Sequence, residues 1–229
     1  MHKSAESESC FQTSAILIGI AELALLLGVF LTQDTLSQHR MVSTNLFALV
    51  YYKVATSILI ALQLVMVLLY AMRFRMVARG WVGALGGFVC GALVGWMLTV
   101  SFDPNTQTLG HSIGAGLFVC FTALYFAVTL SLSYKYDPVD SRRYDLMAYA
   151  VLLCAGLFTV VYVYLYFSWS EWAWLFENIG FVLLSAGYLL FFWYHPFDPD
   201  TPVSLALRPQ QCEPLLLGPY TVPDVDAFY

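Results

Sequence analysis

Residues 83–95 read GALGGFVCGALVG and place a glycine at every fourth position, at Gly83, Gly87, Gly91 and Gly95. Because residues four apart stack on the same face of a helix, these glycines form a row along one side of an apolar segment. Small residues in such a row let two helix backbones approach closely, which is how many helices associate in lipid. The row predicts a membrane helix packed against a neighbour, either within the same chain or in a homodimer.

The composition of the 229-residue chain also indicates a lipid environment. Hydrophobic residues make up 60% of the sequence and charged residues only 11%, whereas soluble domains carry about 25% charged residues. This surplus of apolar residues is too large for a surface in contact with water. The sequence contains no basic tract, which argues against nucleic acid as a partner.

Six continuous apolar runs are long enough to cross a bilayer, which takes roughly 20 residues in a helix. Helices satisfy their backbone hydrogen bonds internally, and the runs show no alternation typical of a barrel. The sequence predicts an all-α, polytopic membrane protein with a cytosolic N-terminal segment (1–13), a six-helix bundle (14–195) and a disordered, proline-rich cytosolic tail (196–229). The predicted helices cover residues 14–32, 46–72, 80–101, 111–133, 146–168 and 172–194.

Basic residues set the predicted orientation. They lie in both tails and in the loops after the second and fourth helices, with Arg40 the only basic residue in a predicted outer loop, so the positive-inside rule places both termini in the cytosol. The aromatic run over residues 162–174 fits a belt at the opposite interface. The basic loops either attract anionic lipid head groups, at about 1 kcal/mol per residue near the surface, or only fix the topology. The residues are Arg73, Arg75, Arg79, Lys135, Arg142 and Arg143.

Polar side chains inside the predicted helices are the main functional candidates, because a charge at the bilayer centre costs at least about 2.5–3.5 kcal/mol. Lys53, His111, Glu177 and Asn178 are all expected at the level of the outer leaflet. One interpretation is a buried polar pocket that faces the outside and binds a lipid head group or an ion. The other is an ion pair between Lys53 and Glu177 that joins the second helix to the sixth.

Glu22 is the intramembrane carboxyl group of the first predicted helix, and no basic residue is expected at its depth. Protonation and a hydrogen bond to Gln63 are both consistent with that position. A proton-coupled transporter would also place a carboxylate near the middle of a helix. Transport through Glu22 and Glu177 is therefore the alternative to a regulatory or scaffolding function.

Signatures of known catalytic sites are absent from the sequence. It contains no HExxH, GxSxG or P-loop motif and no cluster of His and Cys with metal-ligand spacing. No nucleophile accompanies His111 and Glu177 in a recognisable pattern. We therefore expect neither enzymatic activity nor a bound metal or cofactor.

Residues 101–135, SFDPNTQTLGHSIGAGLFVCFTALYFAVTLSLSYK, resemble the damage-regulated autophagy modulator (DRAM) family and its superfamily. In that family a short outer loop precedes a His, then small residues, then an apolar helix that ends near a basic residue. His111, Gly114, Ala115 and Lys135 occupy this pattern, and Glu177 is similar to an acidic residue near the start of the family's last helix. The first outer loop, TQDTLSQHRMVST, departs from the pattern because it is shorter than in relatives and lacks proline.

The resemblance implies a non-enzymatic regulator or scaffold with six helices and both ends in the cytosol. It would act in lysosomes, endosomes or the plasma membrane, in autophagy or in lipid-linked signalling. Its expected partners are membrane lipids, together with other membrane proteins or a second copy of the chain.

Overall fold

A computed structural model of the chain describes residues 2–32, 41–136, 142–168 and 170–194. Within these ranges the chain is helical apart from short connections. The helices are α1 (His2–Thr32), α2 (Val42–Ala48), α3 (Val50–Met72), α4 (Arg79–Ser101), α5 (Thr108–Tyr136), α6 (Arg142–Phe167) and α7 (Ala173–Tyr194). All but the short α2 are long and apolar enough to span a membrane. The predicted all-α fold with six spans is confirmed, whereas the predicted tail over 196–229 lies outside the described residues.

The six spanning helices form a closed ring in chain order. Each packs against its neighbours in the sequence, and α1 completes the ring by packing against α7. We call the side that carries the start of α1 and the end of α7 the terminal face, and the opposite side, with the connections 102–107 and 168–172, the distal face. The short α2 lies at the distal face and packs on α3 and α7.

The predicted second helix, 46–72, is broken at Leu49. The backbone there is extended, with φ −123° and ψ 99°, so α2 ends at Ala48 and α3 begins at Val50. Two hydrogen bonds bridge the break, from the Leu49 N–H to the Asn45 oxygen and from the Lys53 N–H to the Leu49 oxygen, both 3.0 Å. Helix kinks are usually marked by proline or glycine, and neither occurs here. The uninterrupted second helix was therefore a wrong prediction.

The terminal half of the ring is filled by aromatic side chains. Tyr70, Phe74, Phe191 and Phe192 are fully buried, and their rings meet edge to face with centroids 4.7–6.0 Å apart. Gln12 of α1 donates to the Phe192 and Trp193 oxygens at 3.1 and 3.0 Å, which ties the ends of the ring together. This half therefore contains a cluster of fully buried aromatic residues at the centre of the core.

The glycine row contacts α5 only in its distal half. A Cβ at Gly114 of α5 would lie 2.5 Å from the Thr99 backbone nitrogen, and a Cβ at Gly95 would meet the backbone of Phe118. A Cβ at Gly91 would lie 2.6 Å from the Phe121 ring. The backbones of α4 and α5 thus touch at this crossing, which only residues without a side chain allow.

Gly83 and Gly87 lie outside this contact. Neither would bring a Cβ within 4 Å of another described atom, and both are exposed. Two helices that cross at an angle are close only near the crossing point, which here lies at Gly95. The prediction of one continuous packing row within the chain is therefore wrong for Gly83 and Gly87, and a homodimer at these two residues stays a prediction.

Candidate functional site

A cavity of about 200 Å³ lies inside the ring at its distal end, next to α2. Five helices, α2 and α4–α7, contribute to a wall that is mostly apolar. We call it the distal cavity, and its polar lining consists of Ser43, Thr99, His111, Ser112, Thr159, Tyr162, Tyr166 and Glu177. An apolar cavity of about 150 Å³ accommodates benzene, and drug-sized ligands need about 300–1,000 Å³. The distal cavity is therefore large enough for one end of an amphiphile.

Glu177 is the buried carboxyl group of this cavity. The Ser43 N–H donates to its Oε1 at 3.4 Å. The Ser43 hydroxyl, the Val42 N–H and the Tyr162 hydroxyl also lie near the carboxyl group, yet Oε2 has no well-formed hydrogen bond to any described residue. Because an ionised carboxylate can accept about four hydrogen bonds, Glu177 has capacity for a further partner. The backbone of α2 supplies only part of what this group requires.

His111 links the end of α4 to the start of α5. Its Nδ1 lies 2.9 Å from the Thr99 oxygen and 3.0 Å from the Phe102 oxygen. Both partners are carbonyl groups, so Nδ1 must carry the proton and act as the donor. In the neutral ring, Nε2 is then an acceptor. His111 thus fixes the connection 102–107, and it lines the distal cavity.

Lys53 and Asn178 lie outside the wall of the distal cavity. The Lys53 Nζ stands 4.4 Å from the centroid of the Phe47 ring, a cation–π contact, and no ion pair to Glu177 is formed among the described residues. The predicted ion pair between Lys53 and Glu177 is therefore not formed. The order of the ring explains this, because α1 lies between α3 and α7. Asn178 donates to the Trp174 oxygen of its own helix at 2.7 Å.

The distal cavity reaches the surface of the bundle between α5 and α6. Its lining includes Gly116, Val163 and Phe167, and all three are exposed, Val163 at 44% and Phe167 at 63%. In a bilayer such residues face acyl chains. The geometry therefore connects the buried acceptors to the lipid through a lateral opening.

A second, smaller cavity of about 40 Å³ surrounds Glu22 in the middle of the bundle. We call it the central cavity. Gln63 Nε2 and Ser185 Oγ, the latter at 3.0 Å, both donate to Glu22 Oε2, so the predicted hydrogen bond from Gln63 is confirmed. Phe118 and Leu184 line both cavities. The two cavities are therefore neighbours inside the ring, with these two side chains between them.

Sequence reasoning missed Ser43, Tyr162 and Ser185 as parts of these sites. Tyr162 had been interpreted as part of an aromatic belt, and Ser43 as part of a loop. The sequence does contain a signal for Ser185. This residue belongs to a set that recurs at intervals of three and four residues and therefore shares one face of α7. That face carries Glu177, Phe181, Leu184, Ser185 and Tyr188, which all line a cavity.

The basic residues behave differently from one another. Arg73 donates to the Tyr70 hydroxyl at 2.6 Å and lies over the rings of Tyr70 and Phe74, so this half-buried side chain packs against the core of the terminal half. Lys135 lies 5.1 Å from the centroid of the Tyr136 ring. Arg75 and Arg79 are exposed at the terminal face. Arg142 and Arg143 begin α6, and their side chains are outside the described part of the chain.

No group of three or more His, Cys, Asp or Glu side chains in the described ranges is placed to hold a metal ion. Comparison of the chain with protein families, with curated proteins and with solved structures gave no match. The similarity of residues 101–135 to the DRAM family thus stays a prediction.

Proposed function

We propose that this chain is a non-enzymatic membrane protein that binds one end of a lipid-like amphiphile in the distal cavity and acts as a regulator or scaffold. The observation that carries the proposal is Glu177, a buried carboxyl group whose Oε2 lacks a well-formed hydrogen bond inside an apolar cavity. Ionisable groups at membrane depth are costly, and such a group is a functional-site candidate by default; an unsatisfied buried oxygen also requires an explanation.

The polar groups of the cavity select the head of the ligand. Glu177 Oε2 and His111 Nε2 are both acceptors, so a matching ligand brings N–H or O–H donors. A primary ammonium group, as in phosphatidylethanolamine, supplies three donors and a positive charge that balances the carboxylate. The trimethylammonium group of phosphatidylcholine has no N–H and is bulkier. The lateral opening between α5 and α6 would hold the start of the acyl chains.

Ligand binding would be sensed by α2. The Ser43 N–H of this short helix donates to Oε1 of the same carboxyl group, so a ligand at Oε2 would bind directly beside α2. A change in α2 at the distal face is a signal that other membrane proteins could recognise. The DRAM-like resemblance favours lysosomal, endosomal or plasma membranes and a role in autophagy or lipid-linked signalling.

The test compares lipids and matched variants. Purified protein is reconstituted in nanodiscs that contain phosphatidylethanolamine or phosphatidylcholine with the same acyl chains, and its melting temperature is measured. We expect phosphatidylethanolamine to raise the melting temperature by a few degrees and Glu177→Gln to lose this difference. Glu171→Gln is the control, because Glu171 is an exposed carboxylate on the connection before α7.

A second variant tests the lateral opening without changing charge. Gly116 lines the cavity and a Cβ there meets no atom within 4 Å, so Gly116→Leu should narrow the opening while the fold persists. We expect this variant to lose the response to phosphatidylethanolamine. Equal melting temperatures of the unmodified protein in both lipids, or an equal loss in Glu171→Gln, would contradict the proposal.

Transport is a second candidate, favoured by the adjacency of the two cavities. Glu177 and Glu22 line neighbouring spaces that share Phe118 and Leu184 as lining residues, so movement of these side chains could join them. Proton flux into liposomes, followed with a pH-sensitive dye, tests this function. Flux that disappears in Glu22→Gln and increases in Phe118→Ala would favour transport over a regulatory role.

A further inference from the structure

The central cavity contains buried hydroxyl groups that the packing of the bundle does not explain. Thr122 Oγ1 and Tyr188 OH line it, and neither has a hydrogen-bond partner among the described residues. Tyr188 is only 4% exposed. Because buried polar groups in proteins are nearly always satisfied, these oxygens indicate an occupant to which both bind. With about 40 Å³, the cavity admits a water-sized occupant but excludes an acyl chain.

The charge of the central cavity indicates what kind of occupant it is. Gln63 and Ser185 both donate to Glu22 Oε2, which leaves Oε1 for another partner. Among the described residues that line the cavity there is no Lys, Arg or His. A buried carboxylate without a counter-charge is strongly unfavourable, so Glu22 is either protonated or balanced by a cation. The unsatisfied hydroxyl oxygens of Thr122 and Tyr188 in the same cavity are suited to bind the cation.

We propose that the central cavity binds one small monovalent cation, Na⁺, through oxygen ligands. The ligands are Glu22 Oε1, Thr122 Oγ1, Tyr188 OH and the side-chain oxygen of Gln63, whose Nε2 is already used as a donor. Hard cations prefer such oxygens, and the lining contains neither sulfur nor imidazole ligands. One carboxylate balances one positive charge, which favours a monovalent over a divalent ion.

The cation site is separate from the distal cavity and does not depend on a lipid ligand there. Phe118 and Leu184 line both cavities, whereas Glu22 lines only the central cavity and Glu177 only the distal cavity. The cation would hold α1, α3, α5 and α7 together at the centre of the bilayer, because its ligands come from all four helices. Its removal should therefore lower the stability of the whole ring.

The experiment measures the melting temperature of the full chain in detergent, in sodium chloride and in choline chloride at equal ionic strength and pH. Sodium is expected to raise it by a few degrees in a saturable manner, because the ion binds the folded state only. Glu22→Gln should abolish this rise. Thr122→Val and Tyr188→Phe should each weaken the apparent affinity for sodium about tenfold.

Two control variants separate the cation site from general stability and from the distal cavity. Thr129→Val removes a buried hydroxyl of α5 that lines neither cavity, and it should keep the full sodium response. Glu177→Gln should also keep it, so the lipid proposal and the cation proposal can fail independently.

Three outcomes would overturn the cation site. One is an equal melting temperature of the unmodified protein in both salts, and another is a full sodium response in Glu22→Gln, which would assign the cavity to water beside a protonated carboxyl group. The third outcome is an unchanged sodium affinity in both Thr122→Val and Tyr188→Phe. These two variants also test the cation site if Glu22→Gln does not fold.

Discussion

The terminal and distal halves of the bundle are made from similar apolar helices but are packed differently. In the terminal half, Tyr70, Phe74, Phe191 and Phe192 are fully buried, and the Tyr70 hydroxyl pairs with Ser133 at 3.0 Å. In the distal half, a cavity of about 200 Å³ adjoins a carboxyl group whose Oε2 lacks a well-formed hydrogen bond. The terminal half is built for stability, whereas the distal half retains space and unused acceptors. This division is typical of proteins that hold a binding site on a rigid support.

The largest effect on the free energy of unfolding should come from removing an aromatic ring from the terminal half. Phe191→Ala removes a ring that contacts Tyr70, Phe126 and Phe192, and we expect a loss of about 3–5 kcal/mol in the free energy of unfolding. The matched change in the distal half, Phe167→Ala, removes a ring that is 63% exposed and should cost about 0.5 kcal/mol or less. Unfolding by SDS in mixed micelles measures both. Equal losses would remove the distinction between the halves.

The next effect compares the two ends of the glycine row. Gly95→Leu forces a side chain into the backbone of Phe118, and because a backbone cannot move aside, we expect a loss of about 3 kcal/mol or no folded protein. Gly83→Leu enters open space and should change the free energy of unfolding by about 0.5 kcal/mol at most. Folded yield and SDS unfolding distinguish the variants. A strong loss from Gly83→Leu would instead indicate a homodimer contact, and analytical ultracentrifugation would detect it.

We expect a moderate loss of stability when the hydrogen bonds of His111 at the distal end are removed. His111→Ala leaves the Thr99 and Phe102 oxygens without their donor and should cost about 1–3 kcal/mol. His111→Asn keeps a side-chain N–H and should recover part of the loss. Tyr70→Phe is the matched change in the terminal half, because it removes the hydroxyl that pairs with Ser133. Tryptophan fluorescence during thermal unfolding measures all three, and full stability of His111→Ala would show that the connection 102–107 does not need this anchor.

The smallest effect on stability should come from replacing Glu177, the proposed ligand-binding residue. Without a lipid ligand, Glu177→Gln removes a buried carboxylate that is only partly satisfied, so we expect the free energy of unfolding to stay within about 1 kcal/mol or to rise. Ser133→Ala is the contrasting change, because it breaks a complete hydrogen bond and should cost about 1 kcal/mol. The same SDS unfolding assay applies. A larger loss from Glu177→Gln than from Ser133→Ala would make Glu177 a structural residue.

The number and type of the membrane-spanning helices could be predicted because they depend on the length of each apolar run and on the lack of alternative hydrogen-bond partners in lipid. The break at Leu49 could not, because no local proline or glycine marks it in the sequence. The Lys53 ammonium group lies over the Phe47 ring of α2, a contact across this break.

The sequence predicts how deep each polar residue of the candidate site lies in the membrane, but not which of these residues contact one another. A polar residue inside an apolar run shows its level in the membrane, and His111 and Glu177 do line one cavity. The sequence does not show which helices are neighbours, so it could not exclude a pair between Lys53 and Glu177. Hydrogen bonds between residues far apart in the chain, such as Ser185 to Glu22, depend on the same missing information.

The position of Glu22 has a consequence for biogenesis. A ribosome delivers α1 to the bilayer well before α3 and α7, yet the two side chains that bond to this carboxyl group are Gln63 and Ser185. Until synthesis reaches the last helix, the nascent protein must keep an acidic group in lipid without its final partners. A translocon or chaperone that retains α1 would protect this intermediate, and truncation before Ser185 should leave a chain that quality control degrades.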